Sequence, residues 1–118
     1  MANHNRTGHL GEALAFTYFV ERGYTILHQN WRHAHWEVDI IAEKDGILHF
    51  IEVKTKRTKN FGHPEENVNK KKIKNLINAA EQYLYHQPQW ERIQFDILSV
   101  TILKTEPAEY FLIEDVYL

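Results

Sequence analysis

The sequence predicts one α/β domain in which helices cover a mixed β-sheet, and three observations support this fold class. Two segments place apolar residues at helical spacing, and five others are rich in β-branched and aromatic residues. They follow one another in the order α-β-β-β-α-β-β, which is typical of a sheet covered by helices. The chain has 118 residues, no internal repeat and no Gly/Pro/Ser-rich linker, so residues 1–118 are expected to form a single domain.

The two helices are predicted from their apolar faces and end signals. The first covers residues 8–22, and Gly23 stands just after it, where glycine commonly ends a helix in the left-handed conformation. The second covers residues 68–85. The expected core-facing residues are Leu10, Ala13, Leu14, Thr17 and Tyr18 in the first helix, and Ile73, Leu76, Ile77, Ala80 and Leu84 in the second.

The central hairpin is predicted from its turn. Asp45-Gly46 is typical of a two-residue type I′ turn, which pairs Lys44 with Ile47. Counting outward places Asp39 opposite Glu52 and Glu37 opposite Lys54, all on one face. The strands are expected at residues 24–31, 36–44, 47–54, 92–102 and 109–116.

Alternation along this hairpin predicts one apolar core face and one polar face. The polar face ends in three carboxylates and a lysine, and Asp96 of a later strand is expected on a polar face, either supporting this site or ending in solvent. The expected core-facing residues are Val38, Ile40, Ala42, Ile47, Ile51 and Val53, interrupted by His49.

Two carboxylates that face each other destabilise a strand pair unless something compensates for their charge. A divalent cation is one candidate, since Mg²⁺ binds one or two carboxylates and completes its octahedron with waters and substrate phosphates. Lys54 would then lie close enough to touch the same phosphate. The alternative is a solvent-facing hairpin in which Lys54 neutralises Glu37.

Composition excludes several classes of function. The chain has no cysteine, which excludes disulfide scaffolds, thiolate nucleophiles and Cys-ligated zinc. It also has no HExxH pattern, no Gly-rich phosphate loop and no Gly-x-Ser-x-Gly elbow. No apolar run is long enough to span a bilayer and the first residues lead into no signal-like segment, so we expect a cytoplasmic protein without a membrane partner.

The net charge of −2 conceals one strongly basic segment, which holds 8 of the 14 lysines and arginines. Such a segment is either a solvated charge run or a surface that faces nucleic-acid phosphates. Its members are Lys54, Lys56, Arg57, Lys59, Lys70, Lys71, Lys72 and Lys74.

Two sets of residues carry a resemblance to known families. The strings Val38-Asp39 and Phe50-Ile51-Glu52-Val53-Lys54 resemble the Asp…Glu-x-Lys core of the PD-(D/E)XK nucleases. Nearly the whole chain resembles the YraN family of uncharacterised bacterial proteins, which is itself similar to archaeal Holliday junction resolvases. The matching strings are Gly11-Glu12-Ala13, Gly23-Tyr24-Thr25-Ile26-Leu27, Asn30-Trp31-Arg32, Glu37-Val38-Asp39-Ile40-Ile41, Glu52-Val53-Lys54-Thr55-Lys56, Phe61-Gly62, Pro64-Glu65-Glu66, Lys72, Ala79-Ala80-Glu81-Gln82-Tyr83-Leu84 and Gln94-Phe95-Asp96-Ile97.

The resemblance implies a restriction-endonuclease-like fold and Mg²⁺- or Mn²⁺-dependent cleavage of DNA phosphodiester bonds, with branched or repair-intermediate DNA as the expected substrate class. It places the metal carboxylates at Asp39 and Glu52, a backbone carbonyl ligand at Val53 and the catalytic lysine at Lys54. Glu12 would join the site, although a carboxylate near a helix N-terminus is also favoured by the helix dipole. Relatives of this kind work as homodimers, so a homodimer is a further expectation. The alternatives are a nucleic-acid-binding module without significant catalysis and a protein-binding scaffold.

The chain departs from the family pattern at four positions. Val38 replaces the proline of the motif name, and Trp36 replaces a small residue, usually glycine. A ring at position 36 would either narrow the entrance to the site or offer a surface on which bases stack. Lys56 and Gln94 replace arginines, which removes two groups able to bind phosphate in a bidentate manner.

Overall fold

The fold consists of a five-stranded sheet with one helix on each face. The structure is a computed structural model that describes the backbone of residues 2–57 and 70–116 and the side chains of residues 6–57 and 71–116. Its elements are α1 (Ala2–Glu21), β1 (Thr25–His33), β2 (Trp36–Lys44), β3 (Ile47–Lys56), α2 (Lys70–His86), β4 (Ile93–Thr101) and β5 (Glu109–Ile113). No helix among the described residues combines the length and apolar character needed to cross a membrane.

The sheet is mixed, which confirms the predicted fold class and element order. Its strands lie in the order β1-β2-β3-β4-β5. Only the β3–β4 pair is parallel, and the other three pairs are antiparallel. A parallel pair needs a long crossover connection, and α2 is the helix that this crossover contains.

The β2–β3 hairpin has the predicted register. Asp45 and Gly46 both have positive φ, at 53° and 81°, as a type I′ turn requires. The pairing runs without a shift from Lys44 opposite Ile47 to Ile40 opposite Ile51.

The prediction of a single core face is wrong, because both faces of the sheet are covered. Ile40 and Ile51 pack in a cluster with residues of α1, as expected. Ile41 and Phe50, expected on the polar face, are completely buried in a second cluster with residues of α2. A strand flanked by a parallel neighbour and a crossover helix is apolar on both sides, so a simple alternation rule fails there.

The core-facing side of α1 also differs from the predicted one. Ala15 and Phe19 are fully buried, whereas Leu10 is 43% exposed. Ala13 and Thr17 are exposed as well. Helix α1 instead turns the side that begins at Gly11 toward β3, where a Cβ on Gly11 would overlap the side chain of Thr55. The predicted Leu14 and Tyr18 are partly buried beside the α1 cluster.

Helix α1 ends as predicted at Gly23, whose φ is +89°. The Gly23 N–H donates to the Val20 carbonyl at 3.1 Å, and the Tyr24 N–H donates to the Phe19 carbonyl at 3.0 Å. These two bonds form a Schellman motif and satisfy carbonyl groups that the helix end would otherwise leave unpaired.

Helix α2 covers the second face with a stripe close to the predicted one. Ile73, Leu76 and Ala80 are buried as expected. Ala79 and Tyr83 are buried in addition, while Ile77 and Leu84 are only partly buried. Tyr83 meets Phe50 of β3 with ring centroids 5.8 Å apart, so this residue ties the end of α2 to the middle of the sheet.

Asp96 is fully buried, so the expectation that it ends in solvent is wrong. Its Oδ2 lies 2.6 Å from Nδ1 of the buried His49, and its Oδ1 accepts hydrogen bonds from Gln94 and the Asp115 N–H. These bonds lead away from the hairpin carboxylates, so Asp96 joins a separate buried network. Burial and the charge of Asp96 raise the pKa of the neighbouring Tyr24 to about 12.

Candidate functional site

The candidate site begins where β2 and β3 separate. The paired register stops at Ile40 and Ile51, one position before the predicted Asp39–Glu52 pair. Asp39 Oδ2 instead accepts a hydrogen bond from the Val53 N–H at 2.7 Å. The Asp39 side chain thus joins the two strands in place of a backbone carbonyl.

Strand β2 loses its regular alternation at the same point. Val38 and Ile40 would share a face in a regular strand. Val38 nevertheless packs with the α2 cluster and Ile40 with the α1 cluster. Asp39 therefore lies at a local distortion of the strand, which directs its carboxyl group toward β3.

Three other carboxyl groups act electrostatically on Asp39. Burial, followed by the charges of Glu52, Glu12 and Glu37, raises the pKa of Asp39 to about 7 against the opposing effect of the hydrogen bond from the Val53 N–H. Three elements supply these groups, namely α1, β2 and β3. The structure therefore brings together the predicted acidic residues, and their mutual repulsion favours a proton or a cation between them.

Two lysines lie beside the carboxylates. Burial raises the pKa of Glu52, while Lys54 and Lys72 act in the opposite direction. Burial and the neighbouring amine of Lys72 lower the pKa of Lys54, although Glu52 and Asp39 oppose this effect. Lys72 was predicted only as part of the basic segment. Its place beside Lys54 depends on how α2 crosses the sheet, which no local sequence signal reveals.

A cavity of about 600 Å³ opens beside this cluster, between α1 and the end of β3. Glu12 lines it from α1, and Glu52 and Lys54 line it from β3. Arg57 closes one side, where its Nε donates to Thr7 Oγ1 at 2.7 Å. This volume lies within the range of small-ligand sites, so the cavity can admit a phosphodiester group.

The donor set fits a hard divalent cation that keeps most of its waters. Within residues 6–57 and 71–116, no three His, Asp or Glu side chains are grouped closely enough to form a ready-made metal cage. Mg²⁺ does not need such a cage, because one or two carboxylates with waters and phosphate oxygens suffice. Asp39 and Glu52 carry such oxygens, and Glu12 lines the same cavity as Glu52.

The lysines and arginines of the basic segment lie in two different places in the described structure. Lys56 and Arg57 line the cavity, and Lys71 and Lys74 are exposed on the first turns of α2. Lys59 lies outside the described residues. Lys70 begins α2, but its side chain also lies outside the described part of the chain.

Fold and site together define a mixed α/β protein with a carboxylate and lysine cluster where two central strands separate. Residues 11–100 match the model of "Uncharacterised protein family UPF0102". The chain belongs to this family, also known as YraN, which confirms the resemblance to the YraN family.

Several UPF0102 proteins are similar to this chain over most of their length. The protein from Bacteroides thetaiotaomicron is 43% identical over 100 residues, which cover 85% of this chain and 83% of the relative. The protein from Flavobacterium johnsoniae is 41% identical over 104 residues, covering 85% of each chain. The protein from Syntrophomonas wolfei is 43% identical over 93 residues, covering 78% of this chain and 81% of the relative.

Proposed function

We propose that this protein is a metal-dependent endonuclease that cleaves DNA phosphodiester bonds in branched or repair-intermediate DNA. The observation that carries the proposal is the burial of Asp39 among other carboxyl groups, which raises its pKa to about 7 next to Lys54 and an open cavity. A site of this kind gains stability from a cation and can place a phosphate beside a lysine. Perturbed carboxyl groups in a cleft are typical of catalytic sites.

Asp39 and Glu52 would hold Mg²⁺ or Mn²⁺, and Glu12 would complete the shell directly or through water. The Val53 N–H fixes the orientation of the Asp39 carboxylate, and the Val53 carbonyl is the expected backbone ligand. The ion, when bound, would supply Lewis-acid stabilisation of the phosphate and activation of a water molecule.

Lys54 would bind the phosphate and share the negative charge that develops on it in the transition state. The attacking water would give up a proton to solvent as its oxygen bonds to phosphorus, the bond from phosphorus to the leaving oxygen would break, and the leaving oxygen would take up a proton from solvent, so that protons balance. Lys54 and Lys72 lie beside the carboxylates, where their amines can donate hydrogen bonds to the non-bridging phosphate oxygens. Lys56, Arg57, Lys71 and Lys74 would contact the flanking phosphates, with a strong salt dependence of binding.

Cleavage of labelled linear, flapped and four-way DNA in Mg²⁺ or Mn²⁺ tests the proposal. We expect Asp39→Asn and Glu52→Gln to reduce the cleavage rate by roughly a hundredfold or more, because each loses a charge that acts in the transition state. Glu91→Gln is the matched control, since Glu91 is an exposed carboxylate outside the cavity. Equal rates for the wild type and both site variants on all three substrates would contradict the proposal.

The second candidate function is a nucleic-acid-binding module without significant catalysis. One observation favours it: with a pKa of about 7, Asp39 carries a proton part of the time at neutral pH, and this proton competes with a metal ion. Salt-sensitive DNA binding without cleavage in either metal would support this function. Sedimentation of the protein with and without a four-way junction would test the expected homodimer in the same samples.

A further inference from the structure

Three aromatic rings form a ladder on the α2 side of the β1–β2 hairpin. The rings of Trp31 and His33 have centroids 6.3 Å apart and planes only 13° apart. The rings of His33 and Trp36 continue this arrangement, at 6.4 Å and 14°. We call these three residues the ring ladder.

The ring ladder follows directly from the strand geometry. His33 and Trp36 are directly opposed across the two strands, and Trp31 lies two residues before His33 on the same face. Trp31 is held by Tyr83 of α2, whose ring meets it edge-on at 5.4 Å. Two further histidines border the ring ladder, since His35 lies 4.9 Å from Trp36 at its outer end and His86 lies 6.2 Å from His33 in its middle.

The ring ladder is held at one end and accessible along its side. Trp31 and Trp36 pack against the α2 cluster without being buried, and all three rings are partly exposed. Parallel planes that are already fixed lose little conformational freedom when another flat ring stacks on them. No acidic side chain belongs to the ring ladder, so a nucleic acid would meet no charge repulsion from it.

The ring ladder lies close to the carboxylate cluster along the chain. Trp36 precedes Asp39 by three residues, a distance of about 10 Å along an extended strand. A DNA strand with a phosphate near Asp39 could therefore place a neighbouring base on Trp36. A duplex could not, because both faces of each base are already stacked inside it.

We propose that the ring ladder binds unpaired nucleobases next to the phosphate held at the carboxylate cluster, so that the protein prefers single-stranded or flapped DNA over continuous duplex. This inference rests on the proposed function, since it names the part of the substrate that this site selects. Stacking on aromatic side chains is tolerant of sequence, so no base preference is expected.

The test is equilibrium binding of fluorescein-labelled oligonucleotides to the wild-type protein in EDTA, where no metal-dependent cleavage occurs. The probes are a single-stranded thymidine 12-mer, a flapped duplex and a continuous duplex. Trp36→Ala should weaken binding to the first two roughly tenfold, with less than a twofold change for the duplex. Trp36→Phe should retain most of the affinity, because the smaller ring still stacks.

Phe111→Ala is the matched control. Phe111 is an aromatic side chain, 51% exposed, on the opposite edge strand β5. This variant should bind all three probes like the wild type. Equal binding of unpaired DNA by Trp36→Ala and the wild type would overturn the proposal, and so would an equal loss of affinity for paired and unpaired probes.

A second measurement keeps the proposal testable if Trp36→Ala does not fold. In Trp90→Phe, the remaining tryptophans are the two of the ring ladder. Their fluorescence should be quenched by the single-stranded probe and not by the duplex, and equal quenching by both would contradict the inference. Quenching without cleavage in Mg²⁺ would refute the nuclease and leave the ring ladder as a binding surface. Cleavage without selective quenching would support the nuclease and refute the ring ladder as the surface that selects unpaired bases.

Discussion

Asp39 is a residue whose burial among other carboxyl groups lowers the folding stability at neutral pH. A carboxyl group whose pKa rises from 3.8 to about 7 on folding holds its proton more tightly in the native state. The native state therefore binds more protons than the unfolded state between these two values. Stability falls as the pH rises through this window, and the full penalty remains above pH 7.

Asp39→Asn should relieve this penalty. We expect the free energy of unfolding, measured in urea without divalent metal, to increase by roughly 2–4 kcal/mol at pH 8 and by clearly less at pH 5. The asparagine oxygen can still accept the Val53 N–H, so the variant keeps the bond between the strands.

Asp45→Asn is the matched control for this prediction, because this substitution makes the same chemical change at an exposed turn residue. Its effect on stability should be nearly the same at both pH values. An Asp39→Asn gain that does not grow between pH 5 and pH 8 would show that repulsion at this carboxyl group is small.

Much of the carboxylate cluster could be predicted because the register of a short hairpin is local. The turn at Asp45-Gly46 fixed which residues of β2 and β3 meet, and this brought Asp39, Glu52 and Lys54 into one neighbourhood. The hydrogen bond from Val53 to Asp39 was missed, because it depends on where the strands separate. The place of Lys72 was missed because it depends on the packing of a distant helix.

At the scale of elements, the position of α1 depends on the absence of a side chain at Gly11. A Cβ there would lie within 2.7 Å of the Thr55 Cβ, and threonine has little rotamer freedom with which to move aside. Thr55 also lines the cavity next to Lys54. The contact between Gly11 and Thr55 therefore sets the distance between Glu12 and the end of β3.

Gly11→Ala should force α1 away from β3 and lower the free energy of unfolding by about 1–3 kcal/mol. Gly8→Ala lies in the same helix with nothing within 4 Å of its new Cβ, so it should raise stability by roughly 0.5–1 kcal/mol through helix propensity alone. Urea denaturation of both variants measures the difference. If both substitutions changed the free energy of unfolding in the same direction, β3 would adjust readily to α1.

Sequence patterns identified every helix and strand of the described residues, but were less reliable about the ends and the buried faces. Helix α2 was placed well because Ile73, Leu76 and Ala80 repeat at helical spacing. The start of α1 was predicted six residues late, since the polar residues before Gly8 show no apolar periodicity. Its buried face was misjudged because close packing at a glycine produces no hydrophobic signal.

At the scale of the whole molecule, helices cover both faces of the sheet, and the cavity lies beside the end of β3. The fold class followed from the order of the elements, because the long crossover between two parallel strands usually contains a helix such as α2. Strand β4 is buried on both of its sides, which its alternation of apolar and polar residues did not predict, and this is why Asp96 was misplaced. The network around Asp96 depends on the whole fold, because its partners come from different parts of the chain. They are the His49 ring, the Gln94 side chain and the Asp115 N–H.

The proposed nuclease depends on a divalent ion held by Asp39 and Glu52, and calorimetric titration of the full chain with Mn²⁺ tests this directly. At pH 8 we expect saturable uptake of one ion by the wild type and by Glu91→Gln, and its loss in Asp39→Asn and Glu52→Gln. At pH 6 uptake by the wild type should weaken and release protons, because the proton on Asp39 competes with the metal. No uptake by the wild type, or equal uptake by all four proteins, would contradict the account.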